Sequence, residues 1–133
     1  MTHSNRMKTV VRSIAALALV AATASFAGAA TLYSAPLAWG TIGGQEMQCH
    51  ASNAGNSDAA IRLQVVSEDG TVVSDSGVVV VPPHGMEILS HGGVFGGRNY
   101  CRFHVAGSAR NVRASACSAQ IGDGRCLATI DAY

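Results

Sequence analysis

Four cysteines, Cys49, Cys101, Cys117 and Cys126, are the residues of this 133-residue chain best suited to covalent chemistry. An even count in an exported chain reads as two disulfides, and three pairings are open. A zinc site would announce itself by a close pair such as C-x2-C, and the sequence holds none. The histidines His50, His84, His91 and His104 offer a second chemistry. With Met47 and Met86 they could form a soft, copper-type site, because imidazole and thioether both suit copper. The set His50, His84, His91 and Met86 is the metal alternative. Its spacing matches no ligand motif, and His50 and His104 fall on outward positions. The expected outcome is therefore scattered surface histidines, with no metal and no cofactor.

The arginines are the third group. Residues 30–89 hold six acids and one arginine, whereas residues 90–133 hold five arginines and two acids. Arginine suits carboxylate and phosphate. Arg102, Arg113 and Arg98 are thus a candidate patch for a small anionic ligand or an acidic protein partner. The alternative is internal pairing with Glu87, Asp75 or Asp131. Catalysis finds little support. There is no G-x-S-x-G elbow, and no carboxylate pair is set apart in apolar sequence. Oxidised cysteines offer no thiolate. The segment His91–Gly97 is glycine-rich but lacks the G-x-G-x-x-G spacing of a phosphate cradle. It reads as a crossover with Phe95 as an anchor. Aromatic residues make up 5% of the chain, too few for stacking on bases or sugars.

These side chains sit in a sequence with two parts. Arg6, Lys8 and Arg12 precede an apolar run, Ser13 to Phe26, which ends in Ala27-Gly28-Ala29-Ala30. A charged start, a short apolar run and small residues are the marks of a signal peptide. Cleavage is expected after Ala29, with residues 30–133 as one domain. The run is shorter than the roughly 20 residues of a spanning helix, so no membrane span is expected after cleavage. The remainder has six arginines against eight acids, a net charge of −2. It has no basic excess that would suit nucleic acid. Charged residues are 13% of the whole chain and hydrophobic ones 48%, where about 25% charged is usual. A packed domain is implied, with a periplasmic or secreted location.

Alternation predicts strands throughout. They fall at 47–52, 61–66, 72–73, 78–81, 86–90, 100–105, 112–117 and 127–130. Asn53–Asp58, Asp69-Gly70, Ser74–Gly77 and Pro82–Gly85 supply turn residues between them. Seven or eight short strands in about 100 residues indicate an all-β, immunoglobulin-like antiparallel sandwich. A two-residue loop at Gly107-Ser108 would pair Phe103 with Val112 and Cys101 with Ala114. Arg102 would then stand opposite Arg113 on one outer face, bordered by Tyr100, His104 and Ser115. Like charges directly opposite are unfavourable, so an acid or an anion is expected between them.

The order C-H-A-S-N at 49–53, E-D-G-T at 68–71, V-P-P-H-G at 81–85, C-R-F at 101–103, V-R-A-S-A-C at 112–117 and G-D-G-R-C-L-A at 122–128 resembles a group of small, exported, uncharacterised bacterial β-sandwich proteins. The resemblance implies a fold and a framework of two disulfides, and no activity. From the residues themselves, Cys49 and Cys101 lie among apolar alternating neighbours and are expected to pair in the core. Cys117 and Cys126 flank a turn-rich segment and are expected to close a hairpin, with a bulge at Gly122 or Gly124 correcting the register. The functional expectation is a small exported module that binds or supports and is not an enzyme. A periplasmic metal-binding protein is the alternative.

Overall fold

The computed structural model describes residues 28–39, 44–92, 97–122 and 124–133. The charged start and apolar run of the expected signal peptide, and Phe95 with its glycine-rich neighbours, lie outside them. Nine strands are described: β1 (Ala30–Tyr33), β2 (Leu37–Trp39), β3 (Gln45–Asn53), β4 (Ala59–Ser67), β5 (Val72–Val81), β6 (Met86–His91), β7 (Gly97–Val105), β8 (Val112–Gln120) and β9 (Cys126–Asp131). They form two antiparallel sheets packed as a sandwich. One has the order β1-β7-β4-β5, with β2 also paired to β7; the other runs β6-β3-β8-β9. β1 pairs with residues 102–105 of β7 and β2 with residues 97–99, so both lie along the same edge of that strand.

The core follows from the two-residue period of a strand, which sends alternate side chains to one face. Ile61, Leu63 and Val65 of β4 and Cys101, Phe103 and Val105 of β7 are buried from one sheet. Met47, Cys49 and Ala51 of β3 and Ala114 and Ala116 of β8 are buried from the other. The Cys49–Cys101 disulfide ties β3 to β7, and so joins the two sheets through the core, with Cα atoms 5.6 Å apart. Cys117–Cys126 joins neighbouring strands β8 and β9 within one sheet.

Four expectations change. β1 and β2 had no signal of their own. Their four- and three-residue lengths are too short to display a period, and their hydrogen bonds come from the edge of β7. Ser74–Gly77 does not interrupt β5. Arg62 pairs with Val78 and Gln64 with Asp75, so Ser76 and Gly77 together oppose Leu63 in a bulge. Gly77 takes φ 66° there, and Ser76 Oγ accepts the Leu63 N–H at 3.0 Å.

The third change is the largest. β7 and β8 are not a hairpin. A 3-10 turn at Ala109–Asn111, capped by Ser108, leads from one sheet to the other. Phe103 and Ala114 do face a common interior, but across the sandwich rather than side by side. Burial imposes the same alternation in both arrangements, so the pattern does not separate them. The register correction in β9 is also real but lies elsewhere. It falls between Ser118↔Ala128 and Ala119↔Cys126, leaving Leu127 as the extra residue.

Candidate functional site

Arg98, Tyr100, Arg102 and His104 occupy the outward positions of β7. Antiparallel pairing sets Gln64 of β4 opposite Arg102 and Arg62 opposite His104. From the other edge, Tyr33 faces Arg102 and Thr31 faces His104. The bulge in β5 sets Asp75, rather than Ser76, opposite Gln64. Four strands thus assemble one continuous polar network.

Arg62 grips Asp75 with two nitrogens, Nε donating to Oδ1 at 2.9 Å and Nη2 to Oδ2 at 2.5 Å. Gln64 Nε2 donates to the same Oδ2 at 2.7 Å. That orientation turns Gln64 Oε1 toward β7, where it accepts from Arg102 Nε at 2.8 Å and lies 3.3 Å from His104 Nε2. An acceptor at Oε1 makes Nε2 the protonated nitrogen of a neutral His104. Nδ1 is then free to accept from Thr31 Oγ1 at 3.2 Å. The Arg62 guanidinium hydrogen-bonded to Asp75 holds its carboxyl far below the usual carboxylate range. Burial, then the nearby Arg102 and Arg62 charges, lower the His104 pKa. Arg102 is fixed at Nε, and no carboxylate of the described residues is in ion-pair distance of its terminal nitrogens. One edge of the guanidinium remains for a bidentate acceptor.

The opposite outer face is built on β3. Glu46, Gln48 and His50 form a ladder at two-residue spacing. Gln48 Nε2 donates to Glu46 Oε1 and Gln48 Oε1 accepts from His50 Nε2 at 2.9 Å. Burial lowers the His50 pKa. Beside it lies the Cys117–Cys126 disulfide. A ring nitrogen of His50 and the two sulfurs are all within 4.8 Å of one another.

The sequence-based patch is divided by this geometry. Arg98 and Arg102 share the outer face of β7, with Arg62 and Gln64 of β4. Arg113 is on β8 opposite Ser52, on the far side of the sandwich. Its Nη1 donates to the Arg110 carbonyl at 3.2 Å, and with Asp131 it lines a cleft of about 270 Å³ that also includes Leu32 and Tyr133. The shared face failed because it rested on a β7–β8 hairpin. Of the candidate acids, Asp75 serves Arg62, Asp131 lines the cleft, and Glu87 sits on β6 opposite Ala51. None bridges Arg102 and Arg113. The metal alternative is not assembled either. His50 and Met86 alternate outward, His84 is in the β5–β6 turn, and His91 lies opposite Met47. His50 and Met86 share the outer face of the paired strands β3 and β6, whereas His91 is on the inner side of β6, so the four side chains do not share one face.

Arg62, Gln64 and Thr31 were missed as site residues. The signal available was a polar pair at spacing two in each strand, Arg62-x-Gln64 and Arg102-x-His104. What was lacking was the knowledge that β4 and β7 are neighbours.

Fold and site together define a class: a small antiparallel β-sandwich held by two disulfides, with a polar network on one outer face. No family model and no curated protein matches the chain. A solved structure titled "Crystal Structure of Thermotoga maritima 1070" is similar, with a TM-score of 0.54 and 16% identity, covering 80% of this chain and 95% of that one. At that identity the likeness is one of fold.

Proposed function

We propose that this chain is an exported, immunoglobulin-like binding module that acts by contact and is not an enzyme. Its interaction surface is the outer face of the five-stranded sheet, and its partner presents carboxylates. The observation that carries this reading is the Arg102 guanidinium. It is anchored at Nε through Gln64, with Arg62 and Arg98 on the same face, and no carboxylate of the described residues pairs with its terminal nitrogens. Val78 and Val80 of β5 continue the face beside Arg62 as an apolar rim; Val80 is 64% exposed. An aligned cation with apolar flanks suits an acidic protein surface.

Export is supported by the leader-like sequence and by two disulfides, which persist in oxidising compartments. Among the described residues no helix is long and apolar enough to cross a membrane. The immunoglobulin-like reading is supported by a core disulfide joining opposite sheets, as between strands B and F of antibody domains. It departs from that order where β8 joins the sheet of β3. The test is fluorescence anisotropy of a labelled polyglutamate peptide. The native chain is expected to bind, more weakly with added salt, and Arg102→Ala to weaken binding by about tenfold, or roughly 1.4 kcal/mol. Equal binding by Arg102→Ala overturns the assignment of the surface.

A further inference from the structure

We propose that the outer disulfide is a reducible cover on a zinc site, formed by Cys117, Cys126 and His50 once the bond is opened. This site is on the sheet opposite the arginine face and is independent of it. Three observations converge. The two sulfurs and a His50 ring nitrogen already lie within 4.8 Å of one another. A tetrahedral zinc with two thiolates and one imidazole needs sulfurs about 3.8 Å apart and nitrogen about 3.6 Å from each. Opening the S–S bond supplies the sulfur separation, and the imidazole need move by only about 1 Å.

The second observation is the Glu46–Gln48–His50 ladder. The Glu46 carboxylate can only accept, so Gln48 Nε2 faces it, Gln48 Oε1 faces His50, and His50 Nε2 carries the proton. Nδ1 therefore keeps a lone pair, and it is the ring nitrogen that the proposed site gives to the metal. A ligating histidine is commonly fixed through its other nitrogen by an outer partner, and Gln48, backed by Glu46, occupies that place.

The third observation separates the two disulfides. Cys49 and Cys101 are wholly buried. Cys126, in contrast, is exposed at the start of the edge strand β9, while Cys117 is buried beneath it. A dithiol reductant can reach Cys126 Sγ. Its thiolate attacks that sulfur, the S–S bond breaks, and Cys117 leaves as thiolate and takes up a proton. The reductant's second thiolate then displaces Cys126 and closes the reductant's own disulfide. Two electrons and two protons have passed to the chain, giving two thiols. Binding of Zn²⁺ releases those two protons to solvent and forms two S–Zn bonds. His50 supplies a third bond and water the fourth.

The experiment uses the full chain, treated with a dithiol under native conditions. Alkylation and peptide mass mapping are expected to find free thiols at Cys117 and Cys126 only. Competition with a chromophoric chelator is expected to give one Zn²⁺ per reduced chain and none per oxidised chain. Co²⁺ in place of Zn²⁺ is expected to give a thiolate charge-transfer band. His50→Ala and His50→Gln are each expected to weaken binding by about tenfold or more, with circular dichroism unchanged. Cys117→Ser/Cys126→Ser is expected to bind no metal. Opening of Cys49–Cys101 first, a two-thiol chain that takes no zinc, or undiminished binding by both folded His50 variants would overturn the proposal.

Discussion

Asn53 shows how much one polar side chain can hold together at the end of a strand. It is 2% exposed. Its Nδ2 donates to the Ser57 carbonyl at 2.8 Å and the Val81 carbonyl at 3.0 Å, and its Oδ1 accepts the Gly55 N–H at 2.9 Å. Its own backbone bonds His84 and Gly85. Asn53→Ala is expected to cost about 2–4 kcal/mol in urea unfolding, because buried backbone groups lose their partners. The two perturbed histidines act differently, through pH. Their folded pKa values lie below 6.5, so the unfolded chain binds protons first as pH falls. The stability they contribute is complete above about pH 6.5 and is lost as pH falls through the folded values. Asp75 behaves likewise at lower pH, with its contribution complete above about pH 4 and lost in stronger acid. Unfolding midpoints from pH 8 to 5 are expected to fall for the native chain and to fall less for His50→Gln/His104→Gln.

Turns and bulges decide which residues of each strand meet. Pro82–Gly85 closes with the Gly85 N–H on the Pro82 carbonyl at 2.9 Å, and His84 takes φ 60°. A positive φ at the third residue is what a type II turn requires, and glycine accepts it without strain. His84→Gly is expected to stabilise by roughly 0–1 kcal/mol in thermal or chemical unfolding. Relief of about 1–2 kcal/mol of backbone strain outweighs the added freedom of the unfolded chain. Most strands were legible because burial imposes alternation, as at Ile61-x-Leu63-x-Val65 and Cys101-x-Phe103-x-Val105. The Asp69-Gly70 hairpin was legible because its turn chemistry is local: Gly70 takes φ 87° and Asp69 Oδ1 accepts the Thr71 N–H at 2.9 Å. The neighbour of β7 was not legible. A strand's period reports which face is buried and carries no information on which strand lies beside it. The arginine pairing built on that neighbour failed with it, and the Gln64 relay was hidden for the same reason.

At the scale of the molecule, two disulfides do different work. Cys49–Cys101 closes 52 residues of chain and joins the sheets, whereas Cys117–Cys126 spans 9 and staples an edge. In the chain-entropy model their loss costs about 4 and about 2.7 kcal/mol respectively. Urea unfolding of the two double Cys→Ala variants is expected to give that order. The two outer faces are likewise distinct, one organised around Arg102 and the other around His50 and its disulfide. The central functional claim concerns the first, and nuclear magnetic resonance reads it most directly. In a titration of the isotopically labelled chain with polyglutamate, shifts are expected at Thr31, Tyr33, Gln64, Arg98, Arg102 and His104, with the Arg102 side-chain Nε–H among the largest. Shifts confined to the opposite sheet, or none on this face at saturating peptide, would contradict the account.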